Sequence, residues 1–429
     1  VSERRLTLAE AGSREFVVIE PGACYGLACP GVGVSFELDR LAWSKHELSG
    51  ELLVRCEFEG TDGIRDALGS YVLSVARFNV SSGRARTERA VQLERQSRAT
   101  DVPWHPLIEE LCQRVLAAER TGEPAIALAD VQPSSPEDTA CLDIFGFSLP
   151  RRHSTIVFGD GGATKSLLAL YLAGLLAQRG LRVLLADWEM DAIDHRDRYA
   201  SLFGEELPAT VYYTRCNRPL IHEADRLQRI VRAQRIDFAI NDSVGFACHE
   251  APETAAAALG YFQAKRRIGI GGIDIAHIAR HDQGDQRPFG SAFWHNSARA
   301  TYFLRAAEDA TPKTVGVFCR KHSIARYLPR PFAYEVRIED ERTTFRRTEV
   351  TDVPELSQRL SVRQRMRAAL QRGSLTAEEL AEALEVPVNT VYTTARRGTE
   401  GAQPWLVKIP GADGKTRLGL LVHGSGHVQ

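Results

Sequence analysis

One stretch constrains the chain more than any other: Phe158-Gly159-Asp160-Gly161-Gly162-Ala163-Thr164-Lys165-Ser166. The apolar run 155–158 before it predicts a short buried strand, and the Ala/Leu-rich run 167–178 after it predicts a helix. Strand, glycine-rich turn, Lys-Ser and helix are the parts of a P-loop. In that arrangement the backbone N–H groups of the turn, from Gly159 through Thr164, wrap phosphates, and the helix N-terminus adds favourable dipole charge. Lys165 reaches the β/γ-phosphates and the Ser166 hydroxyl ligates Mg²⁺, so ATP and Mg²⁺ are the expected cofactors. The G-x-x-x-x-G-K-[ST] pattern has glycine where this chain has Thr164, which costs space and flexibility but keeps every N–H donor. The departure bears on the rate of hydrolysis.

Beyond the P-loop, strand and helix patterns alternate. Strands are expected at 182–189, 211–214, 238–242 and 272–278, helices at 222–234 and 252–267, and more strands at 301–305, 314–320, 332–338 and 343–346. Such alternation predicts a parallel α/β sheet. Asp242 ends a buried strand, expected beside the P-loop strand, where a carboxylate holds Mg²⁺ through water. Asn241 stands where a second acid is usual. Glu189, at the tip of the strand after the P-loop helix, is the candidate general base or water-orienting group, with Asp187 as its rival. His277 and His281 flank the end of a later strand, where a neutral imidazole can sense a γ-phosphate by hydrogen bonding. Arg299, in the segment 290–299, and Arg320 with Lys321, at the end of a later strand, are cations of the kind that project into a neighbour's site.

The rest of the chain adds context. At 429 residues, two or three domains are expected. A formal net charge of −1 excludes a global basic field, so any DNA-binding surface must be local. There is no apolar run long enough to span a bilayer and no leader pattern at 1–16, which places the expectation in the cytoplasm. Eight cysteines without a C-x-x-C pair predict reduced, buried thiols and no zinc site.

Residues 1–140 read as a β-rich N-terminal domain with a following amphipathic helix over 104–120, and a charged helix is expected over 84–98. That charged helix reads as a solvated face with local ion pairs. Residues 358–425 read as a winged helix-turn-helix. Thr376 caps its second helix with Glu379 at capping-box spacing, and Leu380, Ala383 and Leu384 face inward. The helix 389–397 offers Asn, Thr, Tyr and Arg side chains suited to base edges and phosphates, and a hairpin with its tip at 410–415 forms the wing.

Taken together, the residues over 145–350 resemble the RecA-fold ATPases of replicative helicases, nearest the RepA-like branch of the DnaB-type group. The resemblance rests on the Walker A segment Gly159 to Ser166, Glu189, the Walker B Asp242, the His277/His281 region and the 290–299 segment with Arg299. Arg320 and Lys321 fall where that group has basic trans-acting residues. The fold it implies is a RecA-like α/β P-loop core with a β-rich N-terminal domain and a C-terminal winged-helix domain. It also implies a homo-oligomeric ring, usually a hexamer, with ATP between subunits and single-stranded DNA through the centre. The winged helix would meet duplex DNA, and the polar loop 280–286 is the candidate pore loop. A nucleotide-gated DNA-binding regulator and a filament-forming recombination mediator are the alternative readings, with a scaffold around a dead nucleotide site behind them.

Overall fold

Short alternating runs near the N-terminus pair into one antiparallel sheet. Its strands are β1 (Glu15–Glu20), β2 (Cys24–Cys29), β3 (Val34–Ser44), β4 (Glu47–Cys56), β5 (Ile64–Arg65) and β6 (Tyr71–Asn79), in the order β1-β2-β3-β4-β6-β5. The computed structural model describes residues 8–58, 64–65, 70–99, 101–122, 125–133, 140–159, 161–278, 288–289, 291–307, 310–325, 328–371, 373–400, 404–411 and 414–421. The chain divides into two units, Val1–Pro133 and Ser134–Gln429.

In the first unit, strict alternation in β4 buries Leu48, Leu52, Val54 and Cys56 on one face. Two helices follow, α1 (Gly83–Ser97) and α2 (Trp104–Thr121). The stripe Leu107, Leu111 and Val115 of α2 joins the same core as Phe36 and Leu52. The arginines of α1 are largely engaged locally: Arg84 pairs with Glu88 at 2.7 Å and Arg86 with Glu109 at 2.9 Å.

The second unit opens with a hairpin, β7 (Cys141–Ile144) and β8 (Phe147–Pro150), and then the P-loop strand β9 (Ser154–Gly159) and its helix α3 (Lys165–Gln178). Next come β10 (Val183–Asp187), α4 (Ala192–Phe203), β11 (Val211–Arg215), α5 (Leu220–Gln234), β12 (Phe238–Asp242), the single turn α6 (Val244–Ala247), α7 (Ala255–Ile268) and β13 (Gly272–His277). The short helix α8 (Ala292–Ser297) leads into β14 (Ala300–Ala306), β15 (Lys313–His322), β16 (Phe332–Ile338) and β17 (Thr343–Thr348). Nine strands form one sheet in the order β11-β10-β12-β13-β9-β14-β15-β16-β17. The first six run parallel and β15 to β17 are antiparallel additions. One face is covered by α3 and α4, the other by α5, α7 and α8, which is why the central strands are apolar on both sides.

Two strand expectations change. Asp242 does not end the strand beside β9, because β13 is inserted between β9 and β12. The strand expected over 182–189 stops at Asp187, whose carboxylate turns back to cap the chain, so Glu189 sits in a turn. The helix α4, between Glu189 and β11, was not expected from the sequence.

The chain ends in α9 (Pro354–Ser357), α10 (Val362–Leu370), α11 (Ala377–Ala383), α12 (Val388–Glu400) and the hairpin β18 (Leu406–Pro410) and β19 (Thr416–Leu420). Both halves of the Thr376/Glu379 capping box are made, at 3.1 and 2.8 Å. Met366, Leu370, Leu380, Leu384, Val391 and Trp405 form a small core of their own, but Ala383 is exposed rather than inward. All eight cysteines are free thiols. No helix among the described residues is long and apolar enough to cross a membrane.

Candidate nucleotide site

Strand β9 ends at Gly159, where a Cβ would meet the Leu304 carbonyl of β14 at 2.3 Å, so no side chain fits there. Asp160 lies outside the described residues. Farther round the turn, Gly162 has φ of +78°. Thr164 adopts φ 54° and ψ 26°, a left-handed conformation that costs an L residue on the order of 1 kcal/mol. That is the backbone reason for the glycine of the usual pattern. The Thr164 hydroxyl lies 3.2 Å from the Tyr334 hydroxyl, and Tyr334 donates to the Ala163 carbonyl at 3.3 Å. A buried tyrosine of β16 therefore clamps the turn that threonine strains.

Lys165 opens α3. Its ammonium is buried and donates to the Gly159 carbonyl at 3.0 Å, within the turn itself. The Ser166 hydroxyl and the Asp242 carboxylate line the same cleft. Burial pushes the Asp242 carboxyl up to about 6, the Ser166 hydroxyl opposes that, and the Asp187 and Glu189 carboxylates add to it.

Asp187 is fully buried. Its Oδ1 accepts the N–H groups of Glu189 and Met190, both at 2.6 Å, and its Oδ2 faces His195 Nε2 of α4 at 2.7 Å. The turn so fixed presents Glu189, which accepts a hydrogen bond from the Ser243 hydroxyl, next in chain to Asp242. Glu189 is exposed and lines the cleft, whereas Asp187 is tied into the scaffold.

His277 ends β13, the inserted strand, in register with Gly159. Burial and the Lys165 charge hold its imidazole below the usual range, with Glu189 opposing. The structure brings Gly161, Gly162, Thr164, Lys165, Ser166, Glu189, Asp242 and His277 to one cleft of about 620 Å³. His281 and the loop 280–286 lie outside the described residues. Lys313, Arg198 and Asp340 also line the cleft, and none of them was expected.

The donor set fits ATP with Mg²⁺. A turn of backbone N–H groups, a buried lysine and a helix N-terminus suit a polyphosphate. A hydroxyl and a carboxylate lining the same cleft, Ser166 and Asp242, suit a hard cation that takes its remaining oxygens from phosphate and water.

The other three candidates are elsewhere. Arg299 precedes β14 and its N–H bonds the Ser154 carbonyl, at the opposite end of β9 from Gly159. Five residues of strand separate those ends, roughly 16 Å. Lys321 pairs with Thr301, which is level with Ile156 of β9, so it lies inside β15 rather than beyond its end. Its ammonium donates to the His295 and Asn296 carbonyls at 3.0 and 2.7 Å. Burial and the nearby Arg299 charge hold it below the usual lysine range. The Arg320 guanidinium lies 5.4 Å from the Phe303 ring centroid.

No protein-family model matches the chain, and no curated protein matches it. A solved structure with some likeness is that of a KaiC-like protein from the hyperthermophilic archaeon Pyrococcus horikoshii OT3. It shares 17% identity over 46% of this chain and 91% of its own, with a TM-score of 0.37.

Asn241 has a structural account. Its Nδ2 donates to Asp274 Oδ1 of β13 at 2.6 Å, and Tyr261 donates to the same oxygen at 2.8 Å. Lys265 lies 3.3 Å from it. An acid at 241 would set two carboxylates against each other in a buried network. The acid stands one strand over, at 274, and the amide serves as its donor.

Proposed function

We propose that the chain is a RecA-type ATPase that works on DNA as a helicase-like motor, assembled as a ring with its nucleotide sites between subunits. A hexamer is the favoured ring. One observation carries the reading. The phosphate-facing groups converge at one end of the strands, while Arg299 stands at the other, roughly 16 Å away, and Lys321, level with Ile156, is held by the His295 and Asn296 carbonyls. In one chain these cations do not reach the P-loop. A head-to-tail ring that sets these two ends against each other would let a cation from one subunit complete the site of the next.

In this reading Lys165 releases the Gly159 carbonyl and neutralises phosphate charge. Ser166 and Asp242 hold Mg²⁺, which when bound screens the charge on the phosphate oxygens. Glu189, held by Ser243 and by the Asp187 cap, orients a water and takes its proton. His277 offers a hydrogen bond toward the γ-phosphate. Single-stranded DNA passes through the centre, and the C-terminal helices and hairpin act as a winged helix on duplex DNA.

The experiment is ATP turnover by the purified chain without DNA and with single- or double-stranded DNA, using Lys165→Ala as the blank. Stimulation by single strands is the expected result. Turnover indifferent to DNA would move the assignment to a nucleotide-gated DNA-binding regulator, whose support is the Thr164–Tyr334 clamp on the P-loop.

A further inference from the structure

Charge is segregated in the C-terminal helices. Between Leu356 and Ala377 the chain carries arginines at 359, 363, 365, 367 and 372 and no acid. Between Glu378 and Glu385 it carries glutamates at 378, 379, 382 and 385 and no base. The second run is α11 with Glu385 just past its end, and all four glutamates are exposed. In helix-turn-helix docking, the helix preceding the reading helix crosses the phosphate backbone. Here that helix is acidic. From Val386 to Ala395 the reading helix α12 and its approach hold no charge, and its Tyr392 hydroxyl donates to Glu378 at 2.6 Å.

The cations are on α10. Arg363 and Arg367, one helical turn apart, lie over the same indole, with guanidinium carbons 5.3 and 5.1 Å from the Trp405 ring. Trp405 is buried, so it serves as a platform that fixes the two planar forks. Arg330, from the segment before β16, adds its charge: burial, then Arg363 and Arg330, hold the Arg367 guanidinium below its ordinary value. Among the described residues, Arg330, Arg359, Arg363, Arg365 and Arg367 have no carboxylate within ion-pair distance, whereas Arg396 and Arg417 pair with Glu400 and Glu379. Unpaired guanidinium groups held close together lack an anion, and the fork geometry fits phosphate oxygens.

We propose that the face of α10, with Arg363 and Arg367 stacked on Trp405 and Arg330 beside them, binds the phosphate backbone of duplex nucleic acid. The neutral polar side of α12 is left to meet bases. The proposal rests on reading this part as a DNA-binding winged helix, and it moves the electrostatic contact from α11 to α10.

The test uses the full chain without nucleotide and a short mixed-sequence duplex, with affinity measured by fluorescence anisotropy over a salt series. R363Q/R367Q is expected to lower affinity about tenfold at low salt and to reduce the slope of log affinity against log salt by about two. R363K/R367K keeps the charge and is expected to retain the slope. R84Q/R95Q, removing two arginines of α1, is the charge-matched control and is expected to change neither. Three outcomes overturn the proposal. One is a wild-type slope in R363Q/R367Q. Another is a loss that the lysine pair does not restore. The third is an equal loss in the α1 control. A wild-type chain that binds no duplex overturns the DNA reading together with the proposal, and if it binds phosphatidylserine vesicles instead, the face belongs to a membrane surface.

Discussion

The Thr164 and Tyr334 hydroxyls meet at 3.2 Å, tying the strained turn of the P-loop to β16, three places from β9 in the sheet order. A β-branched residue in a left-handed conformation needs such a partner, and the loss of either side is measurable. Tyr334→Phe is expected to cost about 1 kcal/mol of stability in urea melts. It is also expected to weaken binding of a fluorescent ATP analogue, because the turn loses its clamp. Thr164→Gly relieves the backbone strain as it removes the hydroxyl, so its stability is expected within about 1 kcal/mol of wild type. If Tyr334→Phe leaves both quantities unchanged, the clamp has no role.

Asn241→Asp brings a second carboxylate to within hydrogen-bond distance of buried Asp274. Urea melts should show a loss of about 3 kcal/mol or more. Adding Asp274→Asn moves the single acid to the other strand and is expected to recover about half of that loss or more. Equal melts for wild type and Asn241→Asp would remove the account of that position.

Asp242 gives a pH signature to the metal-free chain. Its folded carboxyl stands at about 6 against an ordinary 3.8, so between those values the native state holds a proton that the unfolded state gives up. Stability from this group is therefore fully present below 3.8 and is lost as pH rises through about 6. Asp242→Asn lacks the titration. Relative to that variant, wild type is expected to lose on the order of 3 kcal/mol between pH 4 and 7 in paired melts. Parallel curves would refute the raised value.

Much of this was legible in the sequence, and the exceptions share a cause. Runs such as Phe238–Asp242 and Phe332–Ile338 declare themselves as strands by local apolar pattern. The P-loop carries its own residues in order, so Lys165 and Ser166 could be placed without neighbours. What local pattern does not encode is which strands lie side by side. The insertion of β13 between β9 and β12 is a tertiary fact, and it brings His277 level with Gly159. Tyr334 and Lys313 reach the site from strands more than a hundred residues on, with no motif to mark them. The placements of Asp187 and Glu189 separate only once the turn after β10 is seen to be capped by the former.

That cap predicts a division of labour. Asp187→Ala frees the amides of Glu189 and Met190 and leaves buried His195 without its partner. With Glu189 orienting the water as proposed, turnover is expected to fall about a hundredfold, since a small displacement of such a group has that cost. Affinity for the nucleotide is expected to stay within a few-fold, because the P-loop is untouched. A loss confined to affinity would mean that the cap supports binding instead.

The central claim is that Arg299 serves the P-loop of a neighbouring subunit. The direct measurement mixes two inactive variants, Lys165→Ala and Arg299→Ala, in equal amounts and follows ATP turnover. A neighbouring pair with Lys165 intact on one side and Arg299 intact on the other holds a complete site, and random mixing makes about a quarter of interfaces so. Turnover rising toward that fraction of wild type is the predicted result. A mixture no more active than its components, with wild type turning over normally, would contradict the account.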